Sequence, residues 1–463
     1  MKTLIGMLLA IGLVTTSCQK TKEVNTPAEQ PTAAAPAAEV IQNDLPDPCS
    51  LVLAPHRGDG KIDREIIRYQ AKISAEQNPF QSLENLGWLY VAKARESFDP
   101  GYYKLAEQCA YCLDSRQPHC AEALLLRGHV LQNLHKFKEA EPLARELIAK
   151  RGLSFDYGLL GDVLMEQGRL DEAADAYQKM VDLKPDMQAY ARIANYRWLK
   201  GDVAAATELM QMAVSAASPN APESAAWVST RLAFFQFQQG DLAEAGATCD
   251  AALDYQKDYA PALLLRGRLL LADGETTEAV EALTSAEKLN PLPDYEWVLA
   301  EALQSAGRDE EARVVVARLN QSGTSADPRT YALYLSTQGE ASQTALELAQ
   351  NELNTREDVF THDAFAWALA ANGKTKEAYQ EMQKALAEGT QDARLFFHAM
   401  MIASKAGHAE EAAQWLGKTA GMMQLLLPSE QKQFQQTAGE LGETDQPEAV
   451  TESQTAAFST VEK

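Results

Sequence analysis

Apolar and polar positions along most of this chain follow a helical beat that restarts about every 34 residues. The clearest unit is residues 154–186, SFDYGLLGDVLMEQGRLDEAADAYQKMVDLKPD. Leu160, Gly161 and Leu164 precede Gly168, and Ala173, Tyr177 and Met180 follow it before Pro185. Spacings of three and four put the apolar residues on one face of each of two helices. Gly168 permits a turn between them, and Pro185 stops the second. The beat recurs at 121–153 (Gly128, Ala140), 187–219 (Gly201, Ala206), 226–259 (Gly240, Ala245), 260–292 (Gly274, Ala279), 293–325 (Gly307, Ala312), 359–392 (Gly373, Ala378) and 393–426 (Gly407, Ala412). A weaker copy, 326–358, keeps Gly339 and Ala345. A first copy near 82–120 has Leu86, Gly87, Tyr90 and Ala106, with about seven extra residues between its helices.

This pattern resembles the tetratricopeptide repeat, a helix–turn–helix module. The resemblance covers residues 82–426 in nearly ten copies. It implies an all-α fold, a right-handed α-solenoid of about ten repeats. Gly and Ala recur where helices cross, and a large side chain there would overpack the crossing. Repeat arrays need atypical ends. Residues 46–81, with Ile62, Ile66, Tyr69 and Ile73 on one face, read as an N-terminal capping segment. Residues 427–442 read as a C-terminal capping helix, and 443–463 as a disordered tail.

In this family the first helices of successive repeats line a concave groove. The resemblance therefore implies an inner wall with the aromatics Trp198, Phe234, Phe237, Trp297, Tyr334, Trp367 and Phe397, interleaved with Asn195, Arg268, Glu301 and Gln304. Aromatics facing a groove anchor a partner with large area and little rotamer freedom to lose. The alternative is that several of them fill the core between repeats. A carboxylate clamp known in one subfamily pairs Lys with Asn; here Asn195 is paired with Ala191, so the clamp is not supported.

The N-terminus follows a different pattern. Lys2 precedes an apolar run from Leu4 to Val14. Eleven helical residues rise about 16 Å, short of a bilayer core of about 30 Å. Residues 1–17 thus read as an export signal. Thr15-Thr16-Ser17-Cys18 resembles a bacterial lipoprotein cleavage box, with Thr15 where that family usually has Leu. The resemblance implies that Cys18 becomes the lipidated first residue of a protein of the bacterial cell envelope. Gln19 in place of Asp points to the outer membrane. Residues 18–45, rich in Thr, Ala, Pro and Glu and without an aromatic, read as a disordered tether from Cys18.

The 463 residues hold 42 Lys and Arg against 65 Asp and Glu, a net charge of −23. No cationic excess exists to neutralise a phosphate backbone, so no nucleic-acid partner is expected. Nor is any cofactor. Gly373-Lys374-Thr375 imitates the end of a phosphate loop, but it lies in a turn between helices and Ala368 replaces the first glycine. Asp171-Glu172 and Glu410-Glu411 begin second helices, where they complement the helix dipole. Cys109, Cys112, His119 and Cys120 fall within twelve residues, with Cys49 upstream. Three readings stay open for them: buried or disulfide-bonded structural cysteines, a labile pair, or a metal site.

The expected function is a non-enzymatic scaffold that binds a peptide or protein partner in its groove while a lipid holds it to a membrane. The alternatives are a metal- or redox-active envelope protein that uses the cysteine cluster, and a regulatory subunit of a separate enzyme.

Overall fold

The computed structural model describes residues 47–444. The expected signal peptide, Cys18, the tether and nearly all of the tail lie outside the described residues. Within them every regular element is helical. No described helix is long and apolar enough to cross a membrane.

Two helices, α1 (Pro48–Val52) and α2 (Lys61–Ala75), open the fold. Ile66 and Ile73 of α2 are buried, with Ile62 and Tyr69 packed beside them. The Gln70 amide donates to the carbonyls of Val52 (2.9 Å) and Ala54 (2.8 Å), and the Tyr90 hydroxyl also donates to Val52 O (3.0 Å). These bonds satisfy carbonyls at the end of α1 that no helix would otherwise pair.

Ten antiparallel pairs follow. They are α3 (Phe80–Ser97) with α4 (Gly101–Arg116), α5 (Ala121–Asn133) with α6 (Phe137–Lys150), and α7 (Ser154–Glu166) with α8 (Leu170–Leu183). Then come α9 (Met187–Leu199) with α10 (Val203–Ala216), α11 (Pro222–Gln239) with α12 (Leu242–Tyr255), and α13 (Ala260–Ala272) with α14 (Thr276–Leu289). The last four are α15 (Pro293–Ser305) with α16 (Asp309–Ala326), α17 (Pro328–Gln338) with α18 (Ser342–Glu352), α19 (Val359–Ala371) with α20 (Thr375–Leu386), and α21 (Ala393–Lys405) with α22 (Ala409–Ala420). A 3₁₀ turn at Met423–Leu425 leads into α23 (Pro428–Thr444). This is the all-α solenoid of paired helices that the 34-residue beat implies.

Local chemistry sets the joints. Asp186, Asp327, Asp358 and Asp392 cap the starts of α9, α17, α19 and α21 by accepting from backbone amides of the first turn. The alanine near the start of each second helix is buried throughout: Ala106, Ala140, Ala173, Ala206, Ala245, Ala279, Ala345, Ala378 and Ala412 are all 0% exposed. First helices pack equally tightly. A Cβ on Gly161 would lie 2.3 Å from the Tyr177 ring, and one on Gly267 would lie 2.3 Å from Leu283. The Ala173→Phe variant should therefore lose about 1–3 kcal/mol in chemical denaturation, because neither neighbouring helix can retreat without breaking the next joint. A loss near zero would show that the crossing has slack.

The first pair departs from expectation. Its extra residues make no loop. They lengthen α3 to 18 residues, and only Phe98, Asp99 and Pro100 separate it from α4. Phe98 takes the left-handed turn conformation (φ 53°) that glycine takes in later pairs.

Candidate functional site

The solenoid returns upon itself. Turns following α7 and α9 meet the loops that lead into α19 and α21, close to 190 residues further along the chain. The Trp198 indole donates to Gln391 O (3.1 Å), the Thr390 hydroxyl to Leu199 O (2.5 Å), and the Gln391 amide to Gly201 O (3.0 Å). The Glu357 amide donates to Glu166 O (3.1 Å), and Lys200 pairs with Glu388. Gly168 and Gly201, at φ 72° and 79°, sit against this seam; a Cβ on either would come within 2.4 Å of the carbonyl oxygen of Glu357 or Gly389.

The return frames an open chamber of about 920 Å³. First helices α3, α5, α7, α9 and α11 present Arg95, His129, Asp162, Arg192 and Arg231 to it, and the segment entering α19 contributes Arg356, Asp358 and Phe360. Most of these charges are matched. Arg192 grips Asp162 with two hydrogen bonds of 2.8–2.9 Å. Arg95 pairs with Glu223. Arg356 bridges Glu166 and Asp358 at 2.9 Å each, and Arg329 meets Asp358 at 3.1 Å. Burial alone would raise the Asp358 carboxyl, but Arg329 and Arg356 outweigh it and hold that group below its usual range. Burial, with Arg192 and Arg95 near by, pushes His129 down to about 3, so it is neutral at pH 7.

Arg231 is the exception. It has no carboxylate partner among the described residues. Its guanidinium donates one hydrogen bond, to Asn195 Oδ1 (2.9 Å), and lies 4.8–5.9 Å from the ring centres of Trp198, Phe234 and Phe235. Burial without a counter-charge lowers its pKa to about 10, still well above neutrality.

In the second half of the solenoid the concave face is occupied by the chain itself. The segment from Met422 to Leu441 does not stop at the last pair, where a capping helix was expected. It runs across the first helices α13, α15, α17 and α21. Arg268 donates to Leu425 O (3.3 Å), and Glu301 accepts from the backbone N–H (3.0 Å) and hydroxyl of Ser429. The Gln433 amide donates to Thr337 O (2.8 Å), and Arg394 pairs with Glu430 at 2.5 Å. The segment's own Leu425, Leu426, Leu427 and Phe434 are buried against the solenoid.

These two features decide where the expected partner-binding residues lie. Trp198 (6% exposed) is stacked on Phe360 and tied to Gln391 at the seam. Phe237 is covered by the Arg268 guanidinium. Trp297, fully buried, donates to Glu301 (3.0 Å) beneath Arg394 and contacts Tyr334 edge-on. Trp367 donates to the Thr337 hydroxyl (3.0 Å) and stacks on His398. As folded, these five aromatics, Tyr334 included, bind the chain to itself. Asn195 and Phe234 remain half-buried beside the chamber, and Arg268 half-buried under the C-terminal segment. The sequence reading did not single out Arg231, Arg192, Trp227 or Tyr259, which also line the chamber. Arg231 lies one helical turn before Phe234 on α11, and that spacing is the signal that could have found it.

The cysteine cluster is dispersed. Cys112 is disulfide-bonded to Cys49, stapling α1 to α4. Cys109 and Cys120 are buried free thiols whose pKa burial raises, and His119 is exposed beside Glu146. Among the described residues no group of three His, Cys, Asp or Glu side chains converges as metal ligands would. The four-ligand arrangement entertained from sequence is thereby corrected: α4 turns Cys112 towards α1, away from the other three. Cys249 is buried and donates to Ala262 O (3.2 Å).

A family model agrees with this architecture over part of the chain. The tetratricopeptide repeat family model matches residues 125–187, 159–222 and 264–323. No curated protein matches the sequence. Among solved structures the chain is similar to yeast Tom70 (14% identity over 82% of this chain and 92% of that one, TM-score 0.36). It is also similar to YrrB, described as a TPR protein with an unusual peptide-binding site (15%, 39% and 92%, TM-score 0.28), and to pilF of Pseudomonas aeruginosa (15%, 61% and 97%, TM-score 0.28). The chain is thus an all-α solenoid of ten helix pairs joined by left-handed turns and small-residue crossings, and within it residues 125–222 and 264–323 match the tetratricopeptide repeat family model.

Proposed function

We propose that this protein is a non-enzymatic interaction scaffold of a bacterial envelope, held to the membrane by lipid on Cys18, which takes a polypeptide segment of a partner on its concave face. The observation that carries the reading is the self-occupied half of that face. Four first helices there already hold an extended turn and a helix, satisfying backbone and side-chain groups of the guest with Arg268, Glu301 and Arg394. The same face in the first half frames the chamber and carries no such guest among the described residues. The Cys49–Cys112 bond supports an oxidising compartment, as export requires.

A photo-reactive residue placed at Trp227, on the chamber wall, should capture a defined partner in intact cells. The same residue at Val314, 58% exposed on α16, should not. Capture from Val314 alone would place the interaction on the outer face and remove the groove reading. In the same cells the Cys18→Ser form should move to the soluble fraction; retention in the membrane would remove the lipid anchor.

A further inference from the structure

Arg231 is costly where it stands. A guanidinium carries five N–H donors and a permanent charge, and half-burying it with no carboxylate beside it loses solvation that nothing of opposite charge replaces. Every other arginine of the chamber discussed above has a carboxylate. Arg231 has one amide oxygen and three aromatic rings. The rings favour the cation through their negative faces, but they leave its in-plane donors unused. The edge of the guanidinium is therefore a vacant two-pronged donor of the geometry that a carboxylate fills. Of the five arginines that line the chamber, at 95, 192, 231, 329 and 356, Arg231 is the one that lacks a negative partner among the described residues.

The chamber's size and lining restrict what can supply that partner. A volume of about 920 Å³ lies within the range of small-molecule pockets, about 300–1,000 Å³. Trp227, Tyr259, Phe360 and Leu292 give apolar wall around the arginine. One carboxylate matches the single guanidinium without a carboxylate, and a purely apolar guest would leave Arg231 unpaired.

We infer that the chamber is a binding site for a monocarboxylate: an anionic head seated on Arg231, and an apolar or aromatic body lying along Trp227, Tyr259 and Phe360. Asn195 accepts from one guanidinium nitrogen (2.9 Å) and leaves the others for the guest, acting as a positioning residue. The inference rests on the chamber being a place where this protein binds, and it names the chemistry bound there. The carboxylate belongs either to a free organic acid or to the end of a short peptide.

The test uses the full-length protein, isothermal calorimetry and four probes: 3-phenylpropionate, its amide, N-acetyl-Ala-Phe as the free acid, and the same dipeptide as the C-terminal amide. At least one acid should bind about tenfold or more tightly than its amide, the value of a hydrogen-bonded ion pair over its neutral counterpart. Which acid binds identifies the source of the carboxylate. In Arg231→Met the preference for acid over amide should vanish, and in Arg231→Lys it should weaken, since the point charge remains but the fork is lost. The Met variant should melt no lower than the wild type, because it removes a buried charge without a counter-ion. Equal binding of acids and amides, absence of binding by all four, or an acid preference that survives in Arg231→Met would overturn the site. Cross-linking from Trp227 that persists beside any of those results would leave the scaffold reading standing without it.

Discussion

Replacing Gly201 by alanine should cost about 3 kcal/mol, whereas the same change at Gly307 should cost about 1 kcal/mol. Both glycines end a first helix with φ near +70 to +80°, so both variants carry the strain of a side chain in the left-handed region. At Gly307 a Cβ meets nothing within 4 Å. At Gly201 it would sit 2.4 Å from Gly389 O, which belongs to the facing turn of the solenoid and is backbone. The two turns must part, and the bonds from Trp198 to Gln391 O, from Thr390 to Leu199 O and from Gln391 to Gly201 O stretch or break. The difference between the two variants isolates the seam. Chemical denaturation supplies the energies, and spin labels on Lys200 and Glu388 should report a longer distance only in Gly201→Ala. Equal losses at the two sites would mean that the turns do not touch in solution.

The second large effect concerns the disulfide. Cys49 and Cys112 are 63 residues apart in sequence, and closing a loop of that length restricts the unfolded chain by about 4 kcal/mol in the chain-entropy account. Such a loss should stay near its origin, because α1 and α2 lie outside the seam and pack on α3 and α4. The double variant Cys49→Ala/Cys112→Ala should lose amide protection in α1 and α2, where Gln70 and Tyr90 hold the end of α1. Amides of α13 to α16 should exchange as before. Uniform exchange across the whole chain, or no change in α1, would show that the bond does not anchor the N-terminal cap.

The repeats were legible because their cause is local. A glycine between two apolar-faced helices and an alanine near the start of the second specify a turn and a crossing within about twenty residues of each other, as at Gly168 and Ala173. Even the weak copy around Gly339 and Ala345 falls in register, with φ 69° at the glycine and the alanine fully buried. The return of the solenoid left no such trace. Its contacts join residues that the repeat rule treats as unrelated, and most of the acceptors are backbone carbonyls, at Leu199, Gly201 and Gln391, which carry no side-chain signature. The fate of the aromatics followed from that return. Trp198 occupies the position of a groove anchor, yet the facing turn reaches it first. Trp297 does likewise, but Glu301 and Arg394 close over it, beneath a C-terminal segment whose sequence reads only as a polar, mildly amphipathic helix. Arg231 was invisible for a different reason. Being unpaired is a property of the surroundings in space, and an arginine flanked by Thr230 and Leu232 looks like any helical surface residue. The pairing of Cys112 was likewise undecidable, because it depends on where the short helix α1 docks.

A stack of repeats with two free ends comes apart like a pile of coins, one unit at a time from either edge. Once Lys200 meets Glu388 and Gln391 reaches Gly201, the pairs from α9 to α20 have no edge left to lift. Opening any one of them requires the clasp to be undone first, so the middle of this chain should resist pulling and proteolysis as one block.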